Sequence, residues 1–129
     1  KNKKVGTMFY IIEQQRKNLQ ITSIISDYLK NRYPRTTFKI LQSFKANLSH
    51  QSNTYFIINE DICLNEQALE VVKNIRKNDQ FGYIILISKN IDYQQLFRTH
   101  INFLEIIDCD NNLKEEICNC IDFLHKNTS

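Results

Sequence analysis

The chain alternates short apolar runs with longer stretches whose apolar residues recur at helical spacing. The sharpest run lies in residues 54–61 (TYFIINED), where Tyr55, Phe56, Ile57 and Ile58 give way to Asn59, Glu60 and Asp61. A short β-branched and aromatic run closed by a polar break predicts a strand over 54–59 that is buried on both faces, at the centre of a parallel sheet. Residues 8–12 (MFYII), 37–41 (TFKIL), 83–87 (YIILI) and 101–107 (INFLEII) predict further strands. Ile21, Ile24, Ile25, Tyr28 and Leu29 mark one face of a helix over 16–32, which Pro34 ends. Ala68, Leu69, Val71, Val72 and Ile75 do the same for 66–78. A weaker helix is predicted over 91–99, and a short one over 44–50 with Phe44 and Leu48 inward. Leu113, Ile117, Cys120, Ile121 and Leu124 share the inner face of a last helix over 111–126.

Strand and helix thus alternate with short connections, the pattern of right-handed βαβ units. The fold expected is a three-layer α/β domain of flavodoxin-like type, a five-stranded parallel sheet in the order 2-1-3-4-5. Such sheets place binding and chemistry just beyond the carboxyl ends of their strands. Here those positions are Glu13 and Gln14; Ile58, Asn59, Glu60 and Asp61; Ser88 and Lys89; and Asp108, Cys109 and Asp110.

At 129 residues the chain is read as one domain over 8–129. Residues 1–7 are expected to form a tail or an appended segment, with Met8 the natural start. No apolar run reaches the roughly 20 residues of a membrane helix, and the basic start KNKK passes into VGT, so a soluble, cytoplasmic protein without membrane contact is expected. The net charge of +3 does not imply nucleic-acid binding: Lys1, Lys3 and Lys4 are three of the 17 basic residues, which leaves 14 against 14 acidic ones. The four cysteines, Cys63, Cys109, Cys118 and Cys120, lack a disulfide framework, so reduced thiols are expected. A zinc site from Cys109, Cys118, Cys120 and His125 is disfavoured, because residues two apart on a helix point to nearly opposite sides. With only Gly6 and Gly82, the chain has no glycine-rich phosphate loop.

The stretches FYIIEQQRKN, YFIINEDI, ALEVVKNIRKND leading into GYIILIS, and FLEIIDCDN before an amphipathic helix resemble the receiver domain of a two-component response regulator. The resemblance covers residues 8–126 and implies a CheY-like fold. It is nearest to the quorum-sensing, competence and bacteriocin regulators that carry a C-terminal LytTR DNA-binding domain. Such a receiver takes a phosphoryl group from a histidine kinase on an aspartate after strand three. Two acids after strand one help to hold Mg²⁺, and a Thr or Ser after strand four and a Lys after strand five contact the phosphoryl oxygens. On that comparison the acidic pair is reduced to Glu13, with Gln14 beside it. The acceptor position falls on Ile58 or Asn59, neither of which forms an acyl phosphate. Ser88 matches, and the lysine position falls near Cys109, with no lysine between Leu104 and Leu113.

The resemblance therefore implies a degenerate pseudo-receiver with no catalytic residue, no enzymatic activity and no cofactor. It also implies a regulator that works by homodimerisation or through a sensor kinase or other protein, with DNA reached only by an output domain beyond this fragment. The charged residues Asp92, Arg98, Glu105, Lys114 and Glu115 fall on the elements that make the family's dimer face; they are alternatively an ordinary solvated surface. A second reading keeps the phosphorylation cycle, with Asp61 as a displaced acceptor and Glu13 and Asp61 holding Mg²⁺. The plainer reading makes those two acids solvated loop carboxylates. A small ligand-binding domain of the same fold but unrelated to receivers is the third reading.

Overall fold

The computed structural model describes residues 8–13, 20–43, 53–60 and 66–128. Their elements in chain order are β1 (Phe9–Glu13), α1 (Gln20–Arg32), β2 (Phe38–Leu41), β3 (Thr54–Asn59), α2 (Glu66–Asn78), β4 (Tyr83–Ser88), α3 (Tyr93–Thr99), β5 (Glu105–Asp108) and α4 (Leu113–Thr128). The strands form one sheet in the order β2-β1-β3-β4-β5, and every pair is parallel. This is the flavodoxin-like arrangement expected from the alternation of strand and helix. The short helix expected over 44–50 lies outside the described residues.

Strand alternation sorts the core into two layers. Phe9, Ile11, Phe56, Ile58, Ile85, Ile87 and Ile107 pack with Ile21, Ile25 and Leu29 of α1 and with Ile117, Cys120, Ile121 and Leu124 of α4. Ile12, Tyr55, Ile57, Ile84 and Leu86 point the other way, against Ala68, Val71, Val72 and Ile75 of α2 and Leu96 of α3. All six residues of β3 are buried.

Several boundaries move, for local reasons. β1 runs through Glu13, because Glu13 pairs with Ile58 of the central strand. β4 likewise takes in Ser88, which pairs with Asn59. β5 starts at Glu105 and not at Ile101: Arg76 Nη2 donates to Asn102 O at 2.9 Å, and Leu104 N donates to Ile84 O of β4 at 2.8 Å just before the strand. α3 starts after Asp92, whose side chain accepts from Gln95 N.

The amino ends of the strands are held by a buried carboxylate. Asp79, fully buried, accepts at Oδ2 from Asn53 N at 2.9 Å and from the Tyr55 hydroxyl at 2.6 Å. Burial and the Asp79 hydrogen bond push the Tyr55 phenol far above its ordinary pKa, so it stays a donor. The chain must approach closely here: a methyl group on Gly82 would come within 2.6 Å of Asp79 Oδ2. Arg76 Nη1 closes the turn by donating to the carbonyls of Asp79, Gln80 and Gly82. Truncating Asp79 to alanine strands two buried donors, so Asp79→Ala should lower the unfolding free energy by roughly 2–4 kcal/mol. Urea denaturation would measure it, and a loss below about 0.5 kcal/mol would remove this carboxylate from the account of stability.

Candidate functional site

The candidate site is the rim formed by the carboxyl ends of β1, β3, β4 and β5. Register sets it in tiers. Glu13 pairs with Ile58, Ile58 with Ile87, and Ile87 with Ile107. One residue further on, Asn59 pairs with Ser88, and Ser88 with Asp108. Successive residues of a strand face opposite sides of the sheet, so the two tiers look in opposite directions. Glu13 and Ile58 turn towards α1 and α4, whereas Asn59 and Ser88 turn towards α2 and α3. Residues that read as one pocket in the sequence are thus divided by the plane of the sheet. Gln14 and Asp61 lie outside the described residues.

Glu13 is only 3% exposed, and its Oε1 accepts from the Thr22 hydroxyl of α1 at 2.6 Å. Its Oε2 is buried and has no hydrogen-bond partner among the described residues. Thr22 sits on the buried face of α1 between Ile21 and Ile25, a hydroxyl among apolar positions that the sequence reading passed over. This carboxylate is therefore partly satisfied from within the fold. Among the described residues no three of His, Cys, Asp and Glu come together to hold a metal ion.

On the other face, Asn59 Nδ2 donates to Ser88 Oγ at 3.0 Å, and both residues are buried. Ser88 Oγ in turn donates to Lys89 O at 3.4 Å. Ile58 is buried in the apolar layer beneath α1 and α4.

Above the tiers stand Glu60, Lys89 and Cys109. Cys109 is half-buried, and burial, reinforced by Glu60 and Asp110, pushes its thiol from 9.0 up to about 11; Lys89 opposes this weakly. Glu60, directly after β3 with its Oε2 buried, is thus an electrostatic neighbour of the end of β5. The sequence reading placed the acceptor on Ile58 or Asn59 and counted Glu60 among the strand-end positions, without linking it to Cys109. Cys109 stands near the expected lysine position, and a cation that acts on it is Lys89, just after β4.

The other candidates are spread apart. Cys120 is buried in the core, while Cys118 lines a groove between α1 and α4 with Tyr28, Leu113 and Lys114. His125 is stacked on Tyr33, 3.7 Å between ring centroids, and bonded to Thr36 Oγ1 and Ile121 O. Among the expected dimer-face residues, Lys114 lines that α1–α4 groove and Glu105 hydrogen-bonds Cys120, while Asp92 and Arg98 are exposed on and beside α3. Glu115 is exposed on the first turn of α4.

No protein-family model matches this chain, and no curated protein matches it in sequence. Its fold is that of response-regulator receiver domains. The phosphorylated cyanobacterial phytochrome response regulator RcpA superposes with a TM-score of 0.68 at 12% identity, over 95% of this chain and 96% of that one. A CheY-like receiver domain protein from Methanospirillum hungatei gives 0.63 at 10% identity, over 93% and 94%. DrrB of Thermotoga maritima, an OmpR/PhoB homologue, gives 0.63 at 12% identity, and this chain spans 54% of it. No helix among the described residues is long and apolar enough to cross a membrane.

The raised thiol predicts slow chemistry at Cys109. In the folded protein at pH 8 its alkylation by iodoacetamide should be at least about tenfold slower than that of a free thiol, and should rise with pH towards about 11. Mass spectrometry of the modified peptide reads this, and alkylation at the free-thiol rate would contradict the burial that is assigned to it.

Proposed function

We propose that this chain is a receiver-like regulatory domain of bacterial signal transduction and transcription control that takes up no phosphoryl group and acts by protein contact. The observation that carries the proposal is the end of β3. Ile58 is committed to the core and the Asn59 amide to Ser88, so the place of an acceptor aspartate is filled by groups that cannot form an acyl phosphate. In-line phosphoryl transfer also needs charge cancellation around the transferred oxygens, and no lysine follows β5 before Leu113. The domain is read as a cytoplasmic, non-enzymatic module that needs no cofactor. Its upstream partner is a sensor kinase or another regulatory protein, and it reaches DNA through an output domain of LytTR type.

A second copy is the partner proposed for α3. Tyr93 and Phe97, one helical turn apart, are 61% and 85% exposed, and Asp92 and Arg98 beside them carry opposite charges that can pair across a twofold axis. Phe97→Glu should weaken self-association at least about tenfold in sedimentation equilibrium; an unchanged dimer would place the interface elsewhere, and a wild-type monomer would end the proposal of a homodimer.

The buried, unsatisfied Oε2 of Glu13 favours one alternative, an active receiver in which an acid such as Asp61 is phosphorylated by a histidine kinase with Mg²⁺. Acetyl phosphate with Mg²⁺ separates the two. Intact-protein mass spectrometry should find no phosphoryl adduct, and beryllofluoride should leave the amide spectrum around Glu13, Asn59 and Ser88 unchanged. An adduct, or shifts spreading into α3 and α4, would establish the alternative.

A further inference from the structure

We propose that the buried Asn59–Ser88 hydrogen bond is a built-in latch, which holds the β4–α3 connection and therefore the exposed face of α3 in one position without any covalent modification. The proposal rests on the reading that no phosphoryl group enters the rim.

The argument begins with how little else holds α3. The helix has seven residues, and Leu96 is its one buried side chain. Burying a single leucine contributes only about 2 kcal/mol, and an isolated helix of two turns does not persist in water. The placement of α3 must therefore come largely from the chain that leads into it.

That chain starts at Ser88, which is 3% exposed and ties three strand ends together. Its Oγ accepts from Asn59 Nδ2 of β3 at 3.0 Å. Its carbonyl accepts from Cys109 N, just after β5, at 2.9 Å. Its hydroxyl donates to Lys89 O, the first carbonyl of the connection, at 3.4 Å. Asn90 then turns the chain with a φ of 43°, and Asp92 caps α3 at Gln95 N. Four residues thus separate a buried hydrogen bond from Tyr93.

The chemistry of the pair suits a fixed latch. Neither an amide nor a hydroxyl titrates near neutral pH, so the bond does not switch with pH in that range. An aspartate in place of Asn59 would carry a charge into this buried corner, which burial penalises. An amide delivers the same reach and a donor that Ser88 Oγ can accept.

Native-state amide hydrogen exchange tests the latch. Asn59→Ala and Ser88→Ala should each speed exchange of the amides of residues 96–100 roughly five- to tenfold, the equivalent of one lost hydrogen bond. The amides of α1 and α4 should stay within about twofold, and Ser88→Thr, which keeps the hydroxyl, should restore the wild-type rates. No acceleration in α3, the same acceleration throughout the chain, or no rescue by Ser88→Thr would each overturn the proposal.

Should both alanine variants fail to fold, the wild-type protein still decides. The Asn59 side-chain amide protons should exchange at least about tenfold more slowly than those of the exposed Asn102, and equal rates would overturn the latch. Beryllofluoride shifts in the wild-type protein would sink the phosphate-free reading by themselves, whereas an α3 that is indifferent to Ser88→Ala would sink the latch alone.

Discussion

β3 has no side that faces water. Its six residues are buried between β1 and β4 and beneath helices on both faces, so every polar group at its ends must be satisfied within the fold or carry a desolvation cost of a few kcal/mol. At the amino end, Asn53 and Tyr55 meet that demand through Asp79. At the carboxyl end, Asn59 meets it through Ser88. The molecule can be understood as a sheet pinned at both ends of its central strand.

The two ends use different chemistry. The amino end spends a fully buried carboxylate and an arginine whose guanidinium binds four backbone carbonyls. Such a charged cluster is rigid and costly to disturb, because removal of any one partner leaves another buried and unmatched. The carboxyl end uses neutral groups, an amide and a hydroxyl. A receiver that cycles phosphate concentrates charge at this end. Among the described residues the charges at this end are Glu13, half-satisfied by Thr22, and Glu60, Lys89, Asp108 and Asp110.

Architecture and chemistry are set by different residues. A TM-score of 0.68 to a phosphorylated response regulator at 12% identity shows that the two chains share a fold with little likeness in sequence. The sheet order follows from alternating apolar runs and amphipathic helices, which many sequences supply. The reaction needs particular carboxylates and a lysine at particular strand ends, and drift can replace those without disturbing the core. The same fold carries a short helix α3 that presents Tyr93 and Phe97 to solvent.

The sequence by itself determined the layers and the order of the sheet, because burial on one or both faces writes a period into the chain. The limits of β3 at 54–59 and of α2 at 66–78 were legible to the residue. It also determined which residues stand at the strand ends. Tertiary structure decided which way they look. Glu13 and Asn59 read as neighbours in one crevice, but a one-residue difference in tier sends them to opposite faces of the sheet, and periodicity alone carries no cross-strand register. Thr22 under Glu13, Glu60 beside Cys109 and Arg76 on Asn102 are contacts between residues 9 to 49 positions apart, and no local pattern encodes a pairing at that range. The late start of β5 has the same cause: residues 101–104 look like a strand locally, but the Asn102 carbonyl is bound by the distant Arg76 and regular pairing with β4 begins only at Glu105.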